Sequence, residues 1–280
     1  MTEKVTLDQT DYWKLDSKCM EYVFDIKVSF PNTEPPEEGF PTIYMLDGNS
    51  HFQYGRDVVR LQSRNAPKTF VAPAIVVGIG HHGTEKEVSK QRFHDFTPFA
   101  EQYSYPDRLK AVGGELGPHG GADKLLDFME QELMPEIARR YVVDPDSRTL
   151  FGHSLGGLFV LYTLLTRSHL FTNYLACSPS IWWNDHEILE YEKNFRENTD
   201  MDTPKNLFIA VGEEEGFMVN DAKDLVSNME SKKSDELQIA FYIAPEENHG
   251  SVVPTIMSRA IRFSNGIFPN SEVRTRQTQR

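Results

Sequence analysis

The pentapeptide Gly-His-Ser-Leu-Gly at residues 152–156 constrains the fold of this chain more than any other feature. It follows the short apolar run Thr149–Phe151 and overlaps the apolar-periodic stretch Leu155–Thr166, a pattern typical of a strand, a sharp turn and a helix. Glycines two residues before and two after Ser154 leave room for a serine held in a strained backbone. The motif predicts a nucleophilic Ser154. A tight turn with an unused serine is the alternative.

Apolar, β-branched runs alternate with helical patterns along most of the chain, which predicts an α/β fold with a mostly parallel central sheet and helices on both faces. The first run alternates polar and apolar residues, as suits an edge hairpin. We expect one domain over residues 1–270 and a polar tail at 271–280. The predicted strands are Tyr22–Ser29, Thr42–Leu46, Ala74–Ile79, Thr149–Phe151, Tyr174–Cys177, Asn206–Val211 and Gln238–Ile243, and the predicted helices are Leu125–Tyr141, Leu155–Thr166, Asn220–Ser231 and Val252–Phe268.

Residues 81–121 interrupt this alternation with glycine, proline and charged residues that follow no period. A loop of that length in a compact domain is usually functional, and it follows a predicted strand, where open α/β sheets form their binding crevice. We therefore expect a substrate-binding insertion at about 81–121. The tandem His81 and His82 lie there without further ligands at metal-site spacing, so neither a metal nor a cofactor is expected.

Charge and cysteine content exclude several classes of partner. The formal charge of −13, from 29 basic and 42 acidic residues, argues against nucleic acid, whose phosphates require a basic face. No apolar run reaches about 18 residues, and the first residues lack a secretory pattern, so we expect no membrane span. Cys19 and Cys177 stand outside any redox or metal motif. Together these features favour a cytoplasmic protein.

A serine nucleophile needs a histidine base held by a carboxylate. In α/β-hydrolases, where this serine motif occurs, the order along the chain is serine, acid, histidine. His169, His186 and His249 follow Ser154. The first two lie in or beside helical patterns, whereas His249 lies between the last predicted strand and the last predicted helix. We therefore predict His249 as the base.

The acid and the oxyanion hole are less sharply defined. Four carboxylates follow the strand Asn206–Val211, and only one can face the base. An oxyanion hole needs two backbone N–H groups, which we assign to Leu155 and to Asn49 in the segment after Thr42–Leu46. An ordinary Asp-Gly turn at that segment is the alternative. The candidate acids are Glu213, Glu214, Glu215 and Asp221.

Four sequence blocks, together spanning most of the chain, resemble the putative-esterase (esterase D) branch of the α/β-hydrolases. The blocks are Tyr44–Asn49, Arg92–Pro98, Gly152–Gly157 and Ser178–Trp183. The last three resemble the siderophore esterases most, which hydrolyse the trilactone of catecholate siderophores such as enterobactin or bacillibactin. The resemblance implies an α/β-hydrolase fold. It also favours Glu215, because related enzymes carry the acid at the third position after the glycine, although some work with a weakly defined acid or none.

The resemblance further implies substrate-binding roles for Arg92, Trp182, Trp183 and His153. Arg92 would pair with an anionic catecholate or ferric complex, and a salt bridge to Asp95 is the alternative. The two tryptophans would stack on aromatic rings, but neighbouring side chains point apart, so at least one is expected in the core.

These residues together favour a serine ester hydrolase with a Ser-His-acid mechanism. We expect its substrate to be a small-molecule ester or lactone, and hydrolysis of a siderophore lactone would help to release iron. A ferric siderophore is one such substrate. Two other functions remain open. One is a general carboxylesterase or thioesterase like S-formylglutathione hydrolase, and the other is an inactive α/β-hydrolase that serves as a binding scaffold.

Overall fold

An eight-stranded sheet forms the centre of the computed structural model, which describes residues 5–107, 117–198, 203–231 and 236–266. The strand order is β1-β2-β4-β3-β5-β6-β7-β8; β1, β2 and β4 pair antiparallel and all other neighbours pair parallel. This mostly parallel sheet confirms the predicted α/β-hydrolase fold. The strands are β1 (Thr10–Asp16), β2 (Val23–Ser29), β3 (Phe40–Met45), β4 (Ile75–His81), β5 (Val143–His153), β6 (Asn173–Cys177), β7 (Lys205–Gly212) and β8 (Leu237–Ala244).

Helices connect the parallel strands and cover both faces of the sheet. They are α1 (Gly48–Gln62), α2 (Ala66–Thr69), α3 (Glu85–Asp95), α4 (Ala122–Phe128), α5 (Met134–Arg140), α6 (Leu155–Thr166), α7 (Ile188–Asn198), α8 (Phe217–Ser231) and α9 (Val252–Ser264). A π-helical turn, Met129–Leu133, joins α4 to α5, and 3₁₀ turns lie at Ser63–Asn65, Ser168–Leu170 and Glu213–Glu215.

The two faces of the sheet carry separate apolar clusters. Side chains of α1 and α9, such as Phe52 and Ile256, pack on one face, and side chains of α4 to α8, such as Leu126 and Phe159, pack on the other. Burial of each such side chain contributes roughly 1.5–3 kcal/mol to the free energy of unfolding. The sheet is therefore a rigid support for the loops at the carboxyl ends of its strands.

The region predicted as an aperiodic insertion is partly helical. Residues 85–95 form α3, which begins with a capping box in which Thr84 and Glu87 each satisfy the other's backbone N–H. Periodicity missed this helix because it has only two apolar residues, Val88 and Phe93, and Asp95 is its one buried residue. The irregular part that the structure describes comprises residues 82–84, 96–106 and 117–121. The predicted tail at 271–280 and the domain boundary at 270 lie outside the described residues.

Candidate active site

Ser154 stands on a strained turn between β5 and α6, with φ 60° and ψ −119°. A Cβ at Gly152 would lie 2.2 Å from the carbonyl oxygen of Gly156, and one at Gly157 would lie 2.8 Å from that of Cys177. A Cβ at Gly156 would make only ordinary contacts, at 3.6 Å or more. The expectation of a required glycine two residues after the serine is therefore wrong: the crowded position is Gly157, where the helix crosses the end of β6.

Ser154, His249 and Glu215 form one hydrogen-bonded chain, although they lie on three separate segments. The carboxylate oxygen Oε2 of Glu215 accepts from Nδ1 of His249 at 2.7 Å, which leaves Nε2 as the acceptor. The hydroxyl of Ser154 lies 3.0 Å from that Nε2. A serine that donates to an imidazole oriented by a carboxylate is the arrangement required for base-assisted nucleophilic attack.

Glu215 is the only one of the four candidate acids that touches His249 among the described residues. Its side chain is 1% exposed. Burial by itself raises the pKa of Glu215, but hydrogen bonds from His249, Ser178 and the Gly212 N–H outweigh burial and hold the pKa below its usual range. The carboxylate therefore stays ionised next to the imidazole.

The other three candidate acids lie elsewhere. Glu213 accepts the N–H of Glu246 at 3.0 Å, and Glu214 lies at the rim of the cleft described below. Asp221 lies on α8, 3.3 Å from His186. None of these contacts was visible in the sequence, where the four carboxylates differ only in position.

Leu155 and Asn49 lie in the first turns of two helices that start side by side. Leu155 begins α6 after β5, and Asn49 belongs to α1 after β3; these strands are neighbours in the sheet. The first N–H groups of a helix have no intrahelical acceptor and are available to an anion. The segment from residue 48 is helical rather than an ordinary turn, and a Cβ at Gly48 would lie 2.5 Å from the backbone of Gly78.

Arg92 pairs with Asp47 rather than with Asp95, so the predicted alternative named the wrong partner. Its Nε and Nη2 donate to the two carboxylate oxygens of Asp47 at 2.5 and 2.9 Å. Asp95 is fully buried and is bound instead by Tyr22, His81 and His94. Burial raises the pKa of Asp47, but the Arg92 guanidinium outweighs it and holds that pKa low.

The cleft beside Ser154 has a volume of about 420 Å³ and a wide opening. Trp182 lines it, whereas Trp183 is 1% exposed and packs among aromatic rings of the core. A substrate-binding role for Trp183 is therefore wrong, because its ring is sealed from the cleft. The lining residues are Ser154, Trp182, Glu214, Glu215, Phe217, Met218, Asn248 and His249.

His153 lies between two other imidazoles and does not line the cleft. Its ring centroid is 4.6 Å from that of His249 and 5.6 Å from that of His51. Burial, with a smaller contribution from the neighbouring His249 and His51, lowers the pKa of His153 to about 3. His153 is therefore neutral at physiological pH, and its ring contacts the candidate base. Its substrate-binding role stays a prediction.

Within the described ranges, no group of three or more His, Cys, Asp or Glu side chains is placed to hold a metal ion. Nor does any described helix have the length and apolar character needed to cross a membrane. Cys19 is partly buried and Cys177 buried, and neither forms a disulfide.

The sheet order and the serine elbow define an α/β-hydrolase. A family model described as "Putative esterase" matches residues 17–252, and the chain belongs to that family. It is 39% identical over 264 residues to the ferri-bacillibactin esterase BesA of Bacillus subtilis, covering 92% of this chain and 90% of that protein. It is 27% identical to a siderophore enterobactin esterase of Emericella nidulans, covering 91% and 93%.

The crystal structure of the BES protein from Bacillus cereus is also similar. It matches with a TM-score of 0.87 at 38% identity and covers 94% of this chain and 98% of that one. The resemblance to siderophore esterases that the sequence blocks indicated is thus confirmed.

Proposed function

We propose that this chain is a serine esterase that opens siderophore ester or lactone bonds through an acyl-enzyme. The hydrogen-bonded chain from Ser154 through His249 to Glu215 carries the proposal, because it supplies a nucleophile, a base and a buried anion in one line. Siderophores are the substrate class named for the similar proteins of Bacillus subtilis and Emericella nidulans.

In the proposed mechanism, Ser154 Oγ attacks the ester carbonyl while His249 Nε2 takes its proton. The N–H groups of Leu155 and Asn49 would bind the oxyanion of the tetrahedral intermediate. Glu215 holds the imidazolium as it forms. His249 then gives its proton to the departing alkoxide, and the acyl-enzyme remains. Water attacks this ester with His249 again as base, releasing the carboxylic acid and restoring the hydroxyl.

The shape of the cleft supports a bulky substrate with aromatic groups. Its opening is wide, and Trp182, Phe217 and Met218 supply apolar surface beside Ser154 and His249. We propose that Trp182 stacks on a catechol ring. A direct role of Arg92 on an anionic substrate stays a prediction, and the guanidinium already has its charge balanced by Asp47. We also propose a cytoplasmic location, consistent with two cysteines that form no disulfide.

A substrate panel tests the proposal. We expect kcat/KM for enterobactin or bacillibactin, iron-free or ferric, to exceed that for p-nitrophenyl butyrate and small thioesters by about 10-fold or more. Ser154→Ala removes the nucleophile, so kcat should fall by about 10⁴-fold or more, and the urea unfolding midpoint should stay unchanged.

Two results would contradict the proposal. Equal kcat/KM for trilactone and p-nitrophenyl butyrate would indicate a general esterase. Failure of a fluorophosphonate probe to label the folded wild-type protein, with Ser154→Ala as the blank, would indicate a binding scaffold instead.

A further inference from the structure

Ser178 is a buried polar residue in direct contact with the candidate acid. It follows β6, is fully buried, and belongs to the block Ser178–Trp183, in which the sequence predicts functional roles for the two tryptophans alone. We propose that Ser178 is a positioning residue for the reaction: its hydroxyl fixes Glu215 in the rotamer that orients His249. This inference rests on the proposed esterase function and adds a fourth side chain to its machinery.

The two oxygens of Glu215 have separate partners. Oε1 accepts the hydroxyl of Ser178 at 2.5 Å and the N–H of Gly212 at 2.6 Å. Oε2 accepts Nδ1 of His249 at 2.7 Å. Because Oε1 is held from two directions, the carboxylate plane is fixed and Oε2 is the oxygen that faces the imidazole. Without the Ser178 hydroxyl, a single backbone donor would remain on Oε1. The terminal torsion of Glu215, which is intrinsically soft, would then be held less firmly.

The backbone of Ser178 supports a functional reason for the hydroxyl. Its φ is +42°, in a region that L-residues with a side chain adopt only at a cost and glycine adopts freely. Its N–H donates to the carbonyl of Ala210 at 2.6 Å, which holds the turn in place. Glycine would satisfy the same backbone without strain. A serine here therefore accepts strain that the bonds of its hydroxyl must offset, and among the described residues its only charged partner is Glu215.

The same turn also contacts the nucleophile. The N–H of Ser180 donates to the carbonyl of Ser154 at 3.1 Å, and the N–H of Ser154 donates to Cys177 at 3.0 Å. A rigid turn after β6 thus joins the elbow to the acid. Its rigidity sets the distance between Ser154 and Glu215, across which His249 must fit.

A double-mutant cycle tests the role of Ser178. We expect Ser178→Ala to lower kcat on a hydrolysed ester by about 10- to 100-fold, with KM within about 2-fold of wild type, because binding contacts are untouched. In a Glu215→Gln background the same substitution should change kcat by less than about 2-fold. Ser178 acts only through the Glu215 carboxylate, so once that carboxylate is replaced, removal of the Ser178 hydroxyl has little left to affect. Ser178→Gly should reproduce the kcat loss while keeping or raising the unfolding midpoint.

Two controls separate positioning from general packing. Ser17→Ala removes another buried serine hydroxyl, one that accepts the N–H of Met20 between β1 and β2, and should leave kcat unchanged. Glu136→Gln removes a carboxylate on α5 that pairs with Arg139 and Arg140 and does not line the cleft, and it should leave kcat unchanged. If Ser178→Gly and Ser178→Ala both keep kcat within about 2-fold, or lose as much in the Glu215→Gln background as in wild type, the proposal is overturned. All of these kcat ratios are measured relative to an active wild-type enzyme. If the chain is not an esterase, the wild-type protein will fail to react with the fluorophosphonate probe, and this result is distinct from a failure of the Ser178 proposal.

Discussion

Three histidine rings, His51, His153 and His249, follow one another beside the nucleophile. Within the described part of the chain, His249 is the one of the three that is hydrogen-bonded to a carboxylate. His153 is next to Ser154 in sequence, and its Nε2 is buried with no hydrogen-bond partner among the described residues. A charged His153 would repel the imidazolium that forms on His249. Because the pKa of His153 is lowered to about 3, its ring stays uncharged and packs against His249 without repelling it.

This burial predicts a pH dependence of stability. The unfolded chain protonates His153 near pH 6.5, whereas the folded chain does so only near pH 3. Between these values the unfolded state binds more protons, so the contribution of His153 to stability is complete above about pH 6.5 and declines as the pH falls. At pH 5 the loss is up to about 2 kcal/mol.

Urea unfolding at pH 7.5 and pH 5 of wild type and His153→Asn would measure this difference. The variant should lose less stability than wild type between the two pH values, because asparagine does not titrate. His169→Asn, which replaces an exposed histidine, is the control and should behave as wild type. An identical pH dependence in all three proteins would mean that His153 is charged in the folded state.

At the residue scale, sequence order directed attention to Ser154 and His249, and the structure brings both into contact with Glu215. The choice among four carboxylates came from the resemblance, not from the residues, because nothing local distinguishes Glu215 from Glu214. Ser178 was missed for the same reason. Its bond to Glu215 joins residues 37 positions apart, and neither composition nor periodicity carries that information.

At the scale of elements, the turn between β5 and α6 yields a matched pair of glycine substitutions. Gly152→Ala places a Cβ 2.2 Å from a backbone oxygen that cannot move without displacing α6, so we expect a loss of about 3 kcal/mol or more of stability, or failure to fold. Gly156→Ala makes ordinary contacts and adds a better helix former in the first turn of α6. We expect it to stay within about 1 kcal/mol of wild type.

Chemical denaturation of both variants, with circular dichroism to confirm the fold, would measure the pair. A destabilisation of similar size at the two positions would contradict the steric argument, because it would mean that loss of glycine flexibility, rather than the close approach of α6, decides the cost.

Two elements that periodicity failed to predict, β1 and α1, escaped it for different physical reasons. Strand β1 lies at the edge of the sheet and is mostly exposed, so it lacks a continuous apolar run. Helix α1 contains Gly48 and Gly55, which lower helix propensity but let the helix approach β4 and the side chain of Met45. Tertiary packing outweighs propensity at such sites. The seven predicted strands are all found in the sheet. Six of them are paired on both sides, and the seventh, β8, lies at the other edge and pairs only with β7.

At the scale of the whole molecule, the net charge of −13 affects how an anionic substrate arrives. A ferric tris-catecholate is a trianion, and the fields of like charges reach further at low salt, where the screening length is about 30 Å at 0.01 M compared with about 8 Å at 0.15 M. Arg92 offers little compensation, since it is paired with Asp47. Long-range repulsion should therefore slow association of the ferric complex at low salt.

We expect kcat/KM for a ferric catecholate trilactone to rise by about 2- to 10-fold between 0.01 and 0.15 M NaCl, because screening removes the repulsion. The value for neutral p-nitrophenyl butyrate should stay constant over the same range, and this provides the matched control for any effect of salt on the fold or on the chemistry at Ser154. Stopped-flow measurement of substrate binding to Ser154→Ala would assign the change to the association rate. A kcat/KM that falls with salt for the ferric complex alone would show that local positive charge at the cleft, rather than the net charge of the molecule, governs the encounter.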